Sequence, residues 1–291
     1  MNQNYKESAK MRYELNLKLL EKIEKAQFVS FKDDFIFEQI YENFLFRLKE
    51  NYQRLITTLE ENNSMSGYYE ILRSNYELSM LILFVLHDKH LVADKITTYN
   101  YCKLRVCKQN LESIQGEENK KRIIKNFKEF GVDQESINKN IETLIVRSQQ
   151  ELEEINKKLN DSEFKEIREE IKKTDTRNQG DAKKYPKFYY YYCNNKIKSF
   201  RGLCKFLKKL DSYHTTYTMT SSIAHGEIYE FRDDPSLLFS TTQESSLLCC
   251  EIIKNISEYY CTNLIKREIE NDIKEILGVN YRYLDIKYNQ K

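Results

Sequence analysis

Two prolines and seven glycines are all that interrupt 291 residues. Both types break helices, at roughly 1 kcal/mol for an interior glycine and roughly 3 for a proline. A chain so short of breakers reads as all-α, with long helices and brief connections. Its length allows one large domain or two small ones, with ample core. Trp is absent, so 22 tyrosines and 15 phenylalanines supply the aromatic core volume.

Apolar spacing locates the helices. One is expected over 9–26 and another over 35–61, where Phe37, Ile40, Phe44, Leu48, Tyr52, Leu55 and Leu59 form a stripe. Asp33 and Asp34 are its expected caps. After a turn at 62–67, a third helix runs to His87. From Leu78 to Leu86 only Ser79 interrupts its apolar sequence, which assigns it to the middle of a bundle. A fourth spans 91–113.

From Glu117 the chain becomes charge-rich, with turns at Gly131 to Asp133 and at Asn160 to Ser162. The expected organisation is a bundle begun by 1–116, a charged helical hairpin and loop over 117–184, and a return to the same bundle over 185–291. The hairpin is read as an arm for a partner protein or a second copy, or as two solvated surface helices. Beyond it, helices are expected at 196–210 and 212–225. A long one opens at the capping-box pattern Thr241-x-x-Glu244 and ends at Gly278, with a weakly alternating, extended tail.

Lys plus Arg number 47 and Asp plus Glu 45, so net charge does not point to nucleic acid or membrane. The longest apolar run is too short to span a bilayer. Seven cysteines, an odd count without a C-x-x-C pair, argue against a zinc knuckle or disulfide framework and fit a reducing cytoplasm.

Two polar constellations stand out. Arg73 and Glu77, four apart on one helix face, lead straight into the most apolar helix, so each charge needs a partner. Tyr213, Tyr217, Ser221 and His225 also recur every four residues, a stripe that drifts about 40° per step on an α-helix. The expectation is one pocket built from Arg73, Glu77, Tyr217, Ser221 and His225. Glu77 would orient or charge His225, and the helix C-terminus would favour imidazolium. The same five residues also read as a buried network that fixes helix register.

On these residues the chain resembles the bacterial helical family catalogued as domain of unknown function 5677. The Arg-x3-Glu pair opens a central apolar helix, and Tyr99, Tyr101 and Lys103 follow on the next. Then come Phe188-Tyr189-Tyr190, a helix from Lys196 to Leu210, and the Tyr213 to His225 ending. The likeness covers roughly 35–110 and 185–265. A more distant comparison is with helical ribonucleases of the HEPN type found in bacterial defence and toxin systems. Such an enzyme would use His225 as base or acid and Arg73 to hold phosphate, with Glu77 orienting and Tyr217 and Ser221 positioning. No Arg precedes a His at the spacing those enzymes use, and Lys209-x4-His214 comes closest. A role of this kind therefore requires Arg73 to arrive from another helix.

The alternative is a non-catalytic binding or scaffolding module. Lys187, Lys198, Arg201, Lys205 and Lys209 form the densest basic cluster and are the expected contacts for RNA or another phosphate ligand; they also read as a solvated face. The aromatic run Tyr185 to Tyr192 suits either base stacking or packing. His87 and His90 lack a third metal ligand, and no Walker loop, dinucleotide fingerprint or H-E-x-x-H occurs. No metal, cofactor or membrane is expected.

Overall fold

The computed structural model describes residues 3–61, 65–129, 131, 133–177, 188, 189, 197, 199–225 and 234–288. Among them the protein is all-α, as the scarcity of breakers requires. The one extended pairing among the described residues is an antiparallel bridge between Phe28 and Cys261. No helix among them is long and apolar enough to cross a membrane.

The chain forms two compact units, Met1–Ala93 with Ser199–Lys291, and Asp94–Lys198. The first begins with α1 (Gln3–Glu24), α2 (Phe31–Ile40), a π-helical turn (Tyr41–Leu45), α3 (Phe46–Glu60) and α4 (Met65–Leu86). Helix α5 (Val92–Gln115) leads into α6 (Glu117–Glu129), α7 (Gln134–Leu159) and α8 (Lys165–Arg177). The first unit resumes with α9 (Phe200–Phe206), α10 (Leu210–Ser212), a second π-turn (Tyr213–Tyr217) and α11 (Thr218–Ala224). It closes with α12 (Pro235–Tyr260) and α13 (Asn263–Tyr288).

Helix α4 packs against α3, α11 and α12, and its stretch from Leu78 to Leu86 is buried but for half-exposed Leu81. A helix apolar on every side has taken the central place its composition demands. The core is not hydrocarbon alone. Tyr13 and Tyr68 hydroxyls lie 2.6 Å apart, and the Tyr13 hydroxyl is 3.2 Å from Thr242 Oγ1. Tyr52 donates to the Ser245 carbonyl at 2.9 Å, while Asn75 Nδ2 donates to Ser245 Oγ at 3.3 Å. These groups join α1, α3 and α4 to α12, and each keeps the partner that burial requires. Burial pushes the Tyr13 phenol up to about 12 and the Tyr52 and Tyr68 phenols well above their usual value.

Several expected boundaries change. The N-cap of α2 is Ser30, whose Oγ accepts from Asp33 N at 3.2 Å, so Asp33 lies inside the helix it was expected to cap. Thr241 does not open the C-terminal helix: Asp234 caps α12 with Pro235 next, and the Thr241 hydroxyl donates to the Leu237 carbonyl at 2.7 Å. An interior threonine satisfied within its own helix leaves the same sequence pattern as a capping box. That helix also breaks at Cys261, where the chain pairs with Phe28. Gly278 terminates nothing, and α13 continues to Tyr288. Leu277, Tyr281, Leu284 and Tyr288 keep a helical period, which outweighs a single glycine.

In the second unit, segment 117–177 holds three helices, because both expected turns are real. Gly131 adopts φ 74°, and Asp133 caps α7 through Ser136 N at 2.9 Å. That N–H holds the Asp133 carboxyl below its usual range. Leu159, Phe164 and Ile171 bury together with Tyr101 of α5, so α8 belongs to a small core. Phe188 and Tyr189 are buried as well, with Phe188 against Tyr99 at 5.2 Å between ring centroids. These two aromatics pack; the rest of the 185–192 run lies outside the described residues.

Candidate functional site

Arg73 and Glu77 occupy the face of α4 that meets α11 and the π-turn before it. Arg73 Nε donates to Glu77 Oε1 at 3.3 Å, and the Tyr217 hydroxyl donates to the same oxygen at 3.0 Å. Arg73 Nη1 lies 2.8 Å from His225 Nε2, and its guanidinium carbon stands 5.9 Å from the Tyr217 ring centroid. Arginine has no acceptor, so Nη1 donates and the imidazole carries its proton on Nδ1.

Two corrections follow. Glu77 does not reach His225, since the guanidinium stands between them and takes both contacts. Nor is the ion pair buried: the side chains of Arg73 and Glu77 are 30% and 39% exposed, and His225 is open to solvent. Both residues lie in the middle of α4, at the edge of its buried face, where long side chains reach water. A pair this exposed contributes only about 0–1 kcal/mol. Burial, and then the Glu77 carboxylate, raise the Tyr217 phenol to about 12.

The π-turn arranges the stripe. Thr218 N bonds to the Tyr213 carbonyl five residues back, a wider turn than the α-helical one. Four residues then fall short of a full turn instead of overshooting it by about 40°. This offsets the drift expected along Tyr213, Tyr217 and His225. The rings of Tyr213 and Tyr217 stack at 5.1 Å and 24°, and Phe200 of α9 packs on Tyr217 at 4.8 Å. Ser221 is half-buried one turn before His225, and its carbonyl accepts the His225 N–H at 3.0 Å. Among the described residues its hydroxyl meets none of the other four.

The basic set divides. Arg201 and Lys205 are exposed and one turn apart on α9, next to Phe200. Lys209 leaves their face. Lys208 takes φ 57° and Lys209 N returns to the Cys204 carbonyl at 2.8 Å, closing α9 in a Schellman-type turn. Lys209 Nζ then bonds to Glu251 at 2.6 Å. Lys187 and Lys198 lie outside the described residues. Among the described residues no three His, Cys, Asp or Glu side chains are grouped as metal ligands would be.

Periodicity alone did not reveal a groove of about 720 Å³ between α3 and α4, lined by Glu50, Arg54, Gly67, Glu70 and Ser74. Asn51, also on its wall, donates to Asn75 at 3.4 Å and so connects it to the polar core. The groove's lining does not include Arg73, and His225 of the Arg–His cluster is exposed. The legible signal was Glu70 with Ser74, one turn apart on the face of α4 that lines the groove.

No family model, curated protein or solved structure matches this chain.

Proposed function

We propose that the Arg73–His225 cluster cleaves RNA without a metal ion, as in the distant comparison with helical ribonucleases. The observation that carries this reading is the 2.8 Å contact between Arg73 and His225 at the surface of the first unit. An imidazole beside a guanidinium is the pairing that phosphoryl-transfer chemistry at RNA needs. Arg73 uses two of its five N–H donors among the described residues, leaving others for phosphate oxygens. When phosphate arrives, the guanidinium turns toward it and releases His225 Nε2. That nitrogen takes the proton of the ribose 2′-hydroxyl, and the oxygen attacks phosphorus. The P–O5′ bond breaks, the protonated imidazole returns its proton to the leaving 5′-oxygen, and a 2′,3′-cyclic phosphate remains. Glu77 orients Arg73, and Tyr217 holds Glu77. A phenol raised to about 12 keeps its proton and serves as a fixed donor. Arg201 and Lys205 supply phosphate contacts along the strand.

The test is incubation of the purified chain with RNA in the presence of a chelator. Cleavage to cyclic-phosphate ends, lost in both Arg73→Ala and His225→Ala with folding intact, is the expected result. Cleavage unaffected by these changes, or none at all, overturns it.

One observation favours a second reading, a binding or scaffolding module. The cluster is closed on itself, since Glu77 Oε1 accepts from both Arg73 and Tyr217 while Arg73 also reaches His225. Such a network clamps α11 to α4 without any substrate, and under this reading His225→Ala costs stability alone.

A further inference from the structure

Helices α6 and α7 leave a trough along one side. Lys121, Ile124, Lys125 and Lys128 fall at i, i+3, i+4 and i+7, a single face of α6. The opposite wall is a face of α7 carrying Ile141, Ile145 and Val146. Two adjoining hollows, of about 450 and 310 Å³, share Lys121 and Ile124. Their floor is aliphatic: Ile124, Ile141 and Ile145 are half-buried, and Val146 is 48% exposed. The rim on the α6 side is cationic, with Lys121, Lys125 and Lys128 all exposed. Lys125 faces Glu129 at 3.8 Å, while Lys121 and Lys128 make no ion pair among the described residues. The far wall carries one carboxylate, Glu142.

We infer that this trough is a docking groove for an amphipathic helix of a partner protein, one with an apolar stripe flanked by acidic residues. A third helix laid along two others buries its stripe on the floor, the usual helix-in-groove mode. The α6 face spans about 10 Å, enough for roughly two turns of such a helix. Charge selects the flanks: Lys121, Lys125 and Lys128 outnumber Glu129 and Glu142, and Glu129 is taken up by Lys125, so the lining favours carboxylates over a basic helix. Nucleic acid would engage the lysines and leave the aliphatic floor unused. The inference is independent of the Arg73 cluster.

The test uses the full-length chain and labelled synthetic helical peptides with one shared leucine stripe, flanked by glutamates in one and lysines in the other. The glutamate-flanked probe should saturate with a Kd on the order of tens of micromolar, at least about tenfold tighter than the lysine-flanked one, as suits a small charge-selected interface. Val146→Glu should weaken it at least about fivefold, because it places a carboxylate on the apolar floor. Lys121→Glu with Lys128→Glu should invert the preference toward the lysine-flanked probe. These two sites are exposed, so the charge reversal tests the groove even where a floor substitution disturbs folding. No saturable binding, equal binding of both probes, capture by anionic vesicles with no peptide binding, or a self-association that excludes the peptide would each overturn the inference.

Discussion

Arg73 Nη1 and His225 Nε2 lie 2.8 Å apart although 152 residues separate them in the chain. The contact exists because α11 packs on α4 with a π-turn immediately before it. It links the middle of the central helix to the end of a short one, and Tyr217 and Glu77 complete the connection. In this arrangement the polar residues hold two helices together at the solvent boundary, outside the packed interior.

The partly exposed setting of Arg73 and His225 sets the size of their coupling. A double-mutant cycle with Arg73→Ala and His225→Ala should give about 0.5–1 kcal/mol. Urea denaturation of the four proteins measures it. Strict additivity would mean that the contact carries no energy.

Tyr217 should make stability fall in alkali. Its phenol titrates at about 12 when folded, above the usual 10, because burial and the Glu77 carboxylate disfavour the phenolate. Folding therefore favours the protonated form. That contribution is complete below about pH 10 and disappears as pH rises toward about 12. Tyr217→Phe should cost about 1 kcal/mol near neutrality, through the lost hydrogen bond, and flatten part of the alkaline decline. Urea midpoints at about pH 8 and about pH 11 compare the two proteins; an unchanged slope would refute this assignment.

Two left-handed positions should respond in opposite directions. Lys208 holds φ 57° with a side chain that disfavours it, so Lys208→Gly should stabilise by about 1 kcal/mol. Gly131 at φ 74° has open space around it, yet Gly131→Ala should destabilise by about 1 kcal/mol because the strain lies in the backbone. Thermal unfolding reads both.

Asn75 should be the costliest polar residue of the core. It is fully buried and accepts from Asn51 while donating to Ser245, so Asn75→Ala should lose about 2–3 kcal/mol. Ser79→Ala should lose less than about 0.5–1 kcal/mol, since that hydroxyl only donates to the Asn75 carbonyl of its own helix. Equal losses in chemical denaturation would show that the asparagine side chain is not what joins α4 to α12.

The expected helix-starting roles of Asp33 and Thr241 failed for one reason. A pattern of serine, threonine and acid reads alike at a cap and one turn inside a helix, and the choice falls to the packing of neighbouring segments. Ser30 rather than Asp33 begins α2, and Asp234 rather than Thr241 begins α12. Lys209 shows the same limit on a binding face. A backbone reversal at Lys208, which a lysine does not advertise, sends it to Glu251.

What the linear chain determined is the all-α class, the central place of α4 and the proximity of residues four apart, because helix formation and its apolar stripe depend on local spacing. Position 73 with 77 is such a pair. The meeting of 73 with 225, the loss of Lys209 from its basic neighbours and the polar seam through Ser245 were decided in three dimensions. They depend on which helix faces which, a choice made by the packing of the whole core, and no short window of sequence contains it.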